Sequence, residues 1–144
     1  MTSGSGPVFR RINHIGVVVN DIASARRWLA EIFGLPLSRT VDLPESKIHG
    51  EFFRCGDADI EILEIGDPEM RRRRLGEGTT ARIEHIAVEV DDIRATLARL
   101  APLGVRITTT EPRQVGSMIT AWTVEETTGG VSYQLIQRLP EGGR

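Results

Sequence analysis

His14 and His85 each stand third in an apolar run, in Ile12-Asn13-His14-Ile15-Gly16-Val17-Val18-Val19 and in Ile83-Glu84-His85-Ile86-Ala87-Val88-Glu89-Val90. Two further polar groups interrupt apolar runs later in the chain. One is Glu61 in Asp59-Ile60-Glu61-Ile62-Leu63-Glu64, and the other is Gln134 in Ser132-Tyr133-Gln134-Leu135-Ile136-Gln137. Two neutral imidazoles, a carboxylate and an amide oxygen form a nitrogen and oxygen donor set for a divalent ion of borderline hardness, with room for water or substrate oxygens. Mn²⁺, Co²⁺, Ni²⁺, Fe²⁺ and Zn²⁺ all meet that description. A carboxylate buried in a stretch as apolar as Ile60-Glu61-Ile62-Leu63 is costly unless a cation or metal lies beside it, so Glu61 calls for a partner. Taken alone, His14 reads as a packed, hydrogen-bonded ring. Its repetition at His85 changes that reading.

The elements that must position these residues come in two copies. Residues 12 to 22 recur at 83 to 93, an offset of 71, and such an internal repeat governs how the rest is read. In the first copy a short β-branched strand is followed by an Asn20-Asp21 cap, a helix through Ala25, Trp28, Leu29 and Ile32, and a Gly34 stop. Strands are expected over Leu35 to Val41, His49 to Cys55 and Ile60 to Ile65. The second copy repeats the order, with a helix after Asp91-Asp92 that Gly104 ends, and strands over Val105 to Thr109, Met118 to Val124 and Val131 to Ile136. Between the copies, Asp67-Pro68 and Gly76 bound a connecting helix that carries Arg71, Arg72, Arg73 and Arg74. The expected fold is α+β: two tandem βαβββ modules, about 10–66 and 82–138, joined by 67–81. They form a curved mixed sheet around a central cleft, within one domain, 1–144.

Composition narrows the function classes. A chain of 144 residues with 40% apolar and 26% charged residues has an ordinary globular make-up, and its net charge of −2 offers no basic face for nucleic acid. Cys55 is the one cysteine, so no intramolecular disulfide forms. With no leader-like segment before the first strand and no apolar run near the roughly 20 residues that span a bilayer, a cytoplasmic protein without membrane contact is expected. Met1-Thr2-Ser3-Gly4-Ser5-Gly6-Pro7 and Pro140-Glu141-Gly142-Gly143-Arg144 read as mobile ends.

The duplicated module, with His14-Ile15-Gly16-Val17-Val18-Val19-Asn20-Asp21 and Glu84-His85-Ile86-Ala87-Val88-Glu89-Val90-Asp91-Asp92-Ile93, resembles the vicinal oxygen chelate superfamily over nearly the whole chain. This group includes glyoxalase I, extradiol dioxygenases and antibiotic-resistance proteins. Within it, Glu111-Pro112-Arg113, Thr128-Gly129-Gly130-Val131 and the closing Gln134-Leu135-Ile136-Gln137 look most like methylmalonyl-CoA epimerase. The resemblance implies metal ligands at His14, Glu61, His85 and Gln134, an acid/base at Glu45 of Pro44-Glu45-Ser46-Lys47, and a homodimer. In that family the last ligand is normally a glutamate that also moves a proton. Gln134 cannot do so near neutral pH, but it leaves a divalent site more positive than a second carboxylate would.

The expected activity is that of a metal-dependent isomerase, epimerase or lyase. Its substrate is a small molecule, an acyl-CoA or another 1,3-dicarbonyl, that loses a proton α to a carbonyl to Glu45 while the ion stabilises the enolate. Glu61 belongs to the catalytic set as well as to the ligands. His49, Glu51 and a metal-bound water are candidates for a second acid. Two other classes compete: a metal-free biosynthetic cyclase or isomerase, and a binding protein for an antibiotic or metabolite. Dioxygenase chemistry ordinarily takes its carboxylate ligand from the last strand, where this chain has Gln134. The four arginines are read first as a solvated helix face and second as phosphate contacts. Trp28 and Trp122 are read as core, with the wall of a pocket as the alternative for Trp122. Cys55 is read as structural, and Gly129-Gly130 as a turn.

Overall fold

The computed structural model describes residues 6–140, so most of the two ends expected to be mobile lies outside the described residues. The chain packs as two compact units, one running from His14 to Glu84 and the other uniting the chain up to Asn13 with His85 onward.

In the first unit, β1 (Arg11–Val19) leads into α1 (Ile22–Arg26), followed by β2 (Leu37–Leu43), β3 (Ile48–Cys55), β4 (Ala58–Ile65) and α2 (Pro68–Arg74). The strand order is β2-β3-β4-β1, with β1 parallel to β4 and the other pairs antiparallel. Asp21 caps α1 by accepting a hydrogen bond from the Ala23 N–H, and Asp67 caps α2 by accepting one from Met70. Val19, Ile22, Phe53 and Ile62 form one apolar cluster, and Val18, Leu63, Ile65 and Leu75 another. Ile62 and Leu63 are neighbours on β4, so the two clusters lie on opposite faces of the sheet: the first packs on α1, and the second, with Leu75 and Met70, lies on the face that Glu61 shares by alternation.

The expected helix through Ile32 forms, but from Arg27 to Ile32 it winds as a π-helix, with the Phe33 N–H bonded to the Trp28 carbonyl at 2.9 Å. The wider winding shifts the phase of the side chains. Leu29 still packs on the apolar cluster. Trp28, expected in the core, is 53% exposed and lies against Phe33.

The second unit contains β5 (Ala81–Glu89) from His85 onward, then α3 (Ile93–Leu100), β6 (Arg113–Val115), β7 (Met118–Trp122) and β8 (Ser132–Arg138). Its strand order is β5-β8-β7-β6, with β5 parallel to β8. Asp92 caps α3 and Gly104 ends the following turn at φ 96°. Val88, Val90, Ile93, Ala121 and Leu135 make its core.

The strand expected over Val105 to Thr109 is largely absent. Its middle makes one bridge, Ile107 to Thr123. Beyond it the Thr109 hydroxyl bonds the Glu111 carbonyl at 2.7 Å, a local side-chain contact that draws the backbone away from the ladder. The edge position goes instead to the short β6, which turns into β7 at Gly116.

Candidate functional site

The two units hold their candidate ligands in matching frames. In the first, β1 and β4 run parallel with Gly16 opposite Glu61, so Glu61 lies beside the residue two past His14. In the second, β5 and β8 run parallel with Ala87 opposite Gln134, and Gln134 bears the same relation to His85. The small residues at these two places leave the facing side chain free of a bulky neighbour. Gly50 on β3 does the same: a Cβ there would come within 3.3 Å of Glu61 Oε2.

His14 is 4% exposed, and its Nε2 lies 3.3 Å from Glu61 Oε1, on a side chain that is 12% exposed. The sequence required a partner for Glu61, and His14 is one. Phe52 stands opposite Glu61 across the β3–β4 pair and meets the His14 ring edge-on, at 5.1 Å between centroids. In the second unit Trp122 stands opposite Gln134 and meets the His85 ring edge-on at 4.6 Å. Each histidine is therefore fixed by an aromatic ring that lies across from the next candidate ligand. Trp122 thus takes the alternative reading, a wall beside His85.

The Gln134 amide nitrogen donates to Thr120 Oγ1 at 3.1 Å. With the nitrogen committed, the amide oxygen is the end available as a donor atom. No sequence pattern singled out Thr120; its cross-strand proximity to Gln134 was the missing signal.

Glu45 lies in the exposed turn that joins β2 to β3. At that end Ile48 pairs with Ile65, four residues along β4 from Glu61, which is roughly 13 Å of strand. His49 and Glu51 do not join Glu61. Alternation along β3 sends them to the face opposite Gly50 and Phe52, where Glu51 receives two hydrogen bonds from Arg26 at 2.8 and 2.6 Å. His49 bridges Glu51 at 2.9 Å and Asp42 at 2.7 Å. Those contacts hold the His49 pKa above its ordinary value, with the Asp42 hydrogen bond as the larger cause and Glu51 the next. The Arg26 hydrogen bonds hold Glu51 below the usual carboxylate value against the opposing effect of burial.

The arginines of α2 are mostly committed. Arg71 bonds the carbonyl and side chain of Asn20, Arg72 pairs with Glu77, and Arg74 makes a two-point pair with Glu84 at 2.6 and 2.7 Å. Arg74 has its pKa raised chiefly by Glu84, and the charge of Glu61 adds to this. A fixed cation thus acts on the candidate ligand, a relationship invisible in the run of arginines. Cys55 is exposed at the end of β3. Among the described residues no helix is long and apolar enough to cross a membrane.

Similarity to known proteins agrees with this architecture. Mitochondrial methylmalonyl-CoA epimerase of Bos taurus is 28% identical over 113 residues, 76% of this chain and 65% of that protein. The chain thus spans just under two thirds of that relative. Ethylmalonyl-CoA/methylmalonyl-CoA epimerase of Cereibacter sphaeroides is 26% identical over 74% of this chain and 81% of its own length. The crystal structure of methylmalonyl-CoA epimerase from Mycobacterium tuberculosis superposes with a TM-score of 0.82 at 21% identity, over 98% of this chain and 95% of that one. Residues 11–133 match the Glyoxalase/Bleomycin resistance protein/Dioxygenase superfamily, and the chain belongs to that superfamily.

Proposed function

We propose that this chain is a metal-dependent epimerase or isomerase that removes a proton α to a thioester carbonyl, with His14, Glu61, His85 and Gln134 as ligands of a divalent ion. The observation that carries the reading is the contact between His14 and Glu61, together with the matching strand register of His85 and Gln134. His14, Glu61 and His85 offer three donors of the types that hold such an ion, and the Gln134 oxygen is a fourth. Neutral imidazole with carboxylate and amide oxygen suits Mn, Fe, Co, Ni or Zn. When bound, the ion supplies Lewis-acid stabilisation for negative charge that develops on a carbonyl oxygen.

The protein's own groups divide the remaining work. Phe52 and Trp122 keep the imidazoles in place and exclude water from one side of each ring. Thr120 orients the Gln134 amide. Glu45 is the base in this reading: an exposed carboxylate with no ion-pair partner among the described residues, on a turn that must lean toward the substrate to act. Its small, solvated position suits a group that takes up and releases a proton.

The substrate class, an acyl-CoA of the malonyl type, follows the names of the curated relatives and a solved epimerase bound to methylmalonyl-CoA. Action as one domain, 1–144, and as a homodimer belongs to the same proposal; one cooperative unfolding transition and a sedimentation mass of two chains are its expected signs. The test of the reaction is exchange of the α-proton of methylmalonyl-CoA with D₂O, followed by NMR in the metal-loaded protein. Exchange well above the rate without protein supports the reading, and none with any of the five metals removes it. A second reading, metabolite binding without turnover, is favoured by Gln134, whose amide cannot act as an acid or base near neutral pH.

A further inference from the structure

Across β2, β3 and β4 the pairing register sets Arg39, Phe52 and Glu61 in one row, Arg39 opposite Phe52 and Phe52 opposite Glu61. Residues directly opposite one another share a sheet face. The register of β2 against β3 slips between Leu37 and Arg39, and such a bulge re-aims the side chain that follows it. Its result here is a guanidinium whose central carbon lies 3.7 Å from the centre of the Phe52 ring. The same ring packs edge-on against His14. Arg39 therefore stands on the face that carries His14 and Glu61, two strands or roughly 10 Å from Glu61.

The stacking uses the flat face of the guanidinium and leaves its in-plane N–H groups free. Among the described residues no carboxylate pairs with Arg39, in contrast to Arg26, Arg54 and Arg74, each of which is bonded to an acid. A guanidinium held in a fixed plane with unspent donors is preorganised to grip two oxygens of a planar anion. Among the described residues the second unit shows no equivalent of this row. There β6 reaches only as far as Arg113 opposite Thr120, so no β6 residue stands across from Trp122.

We propose that Arg39 is an oxyanion subsite, holding a carboxylate or phosphate of the substrate while the carbonyl end lies at His14 and Glu61. This rests on the substrate class proposed above. The subsite gives the module of His14 a preference for doubly functional substrates, with a carbonyl at one end and an anion at the other.

The test is calorimetric binding to the full-length, metal-loaded protein of three probes: malonyl-CoA, malonyl-N-acetylcysteamine, which has no phosphate, and the methyl ester of the latter, which has no carboxylate. Arg39→Gln is expected to weaken malonyl-CoA by roughly tenfold to a hundredfold, the loss of one charge-assisted contact, and to leave the methyl ester within about twofold. Weakening of malonyl-N-acetylcysteamine as well identifies the acyl carboxylate as the anion; weakening of malonyl-CoA alone identifies a phosphate. Arg39→Lys keeps the charge but loses the planar fork, and intermediate affinity is expected. Unchanged affinity of Arg39→Gln for all three probes overturns the subsite, as does wild type that binds none. Proton exchange on the same samples separates the two proposals, because wild type that binds but does not exchange loses the epimerase reading and keeps the subsite.

Discussion

His14 Nε2 and Glu61 Oε1 lie 3.3 Å apart between adjacent parallel strands. A contact of this kind, between a buried imidazole and a partly buried carboxylate, serves either as a hydrogen bond that satisfies the carboxylate or as two ligands poised around one ion. The two roles respond differently to substitution. Glu61→Ala is expected to weaken retention of a divalent ion by more than about a hundredfold, beyond the usual cost of losing a supporting hydrogen bond. Competition with a chelator of known affinity measures this. A change in thermal stability with unchanged ion affinity assigns the pair to structure alone.

Thr120 acts through Gln134. Thr120→Val keeps the shape and removes the acceptor for the amide nitrogen at 3.1 Å, so the amide is free to rotate. Ion affinity is expected to fall by about tenfold, with little change in stability. Thr120→Ser, which keeps the oxygen, restores it.

The repeat made the fold legible. His14-Ile15-Gly16 and His85-Ile86-Ala87 marked equivalent strands, and the capping residues Asp21, Asp67 and Asp92 stand where helices begin. Pairing across strands was not legible, because turn geometry and bulges set the register. Phe52 opposite Glu61, Trp122 opposite Gln134 and Arg39 over Phe52 all depend on it. Helical phase was also hidden: Trp28 fitted a period of 3.6, but the π-helical winding turned it outward. The candidate ligands were readable because each interrupts an apolar strand. The Arg26–Glu51–His49–Asp42 network was not, because it joins a helix to two strands of separate sequence.

That network predicts a pH dependence. His49 has a pKa raised above its ordinary value of 6.5, so its stabilising contribution is full below about pH 6.5 and is lost as pH rises through the higher folded-state value. Glu51 is lowered from 4.5, so its contribution is present above about that pH and is lost as pH falls through its lower folded-state value. The stability difference between wild type and His49→Gln is expected to be largest near pH 5 to 6.5 and to vanish in alkali, measured by urea unfolding across pH. A difference that grows with pH contradicts the assignment.

Arg26→Ala leaves the Glu51 side chain, 7% exposed, without its two-point partner. The cost expected at neutral pH is about 1–2 kcal/mol, the lower part of the range for charged hydrogen bonds because the Arg26 side chain is 45% exposed. Denaturant midpoints at constant slope measure it.

Glu45→Gln separates chemistry from binding. The exposed turn tolerates the change, so stability and metal content are expected to hold while α-proton exchange falls by about a hundredfold or more. Exchange that continues at the wild-type rate removes Glu45 from the reaction.

His14 and His85 are proposed as ligands of one divalent ion. Elemental analysis after reconstitution with Mn²⁺, Co²⁺, Ni²⁺, Fe²⁺ and Zn²⁺, followed by gel filtration, compares wild type with a folded His14→Ala, His85→Ala double variant. Near-stoichiometric retention of at least one of these metals by wild type, and its loss in the variant, is expected. Wild type that retains none of them, or a variant that retains the metal equally well, contradicts it.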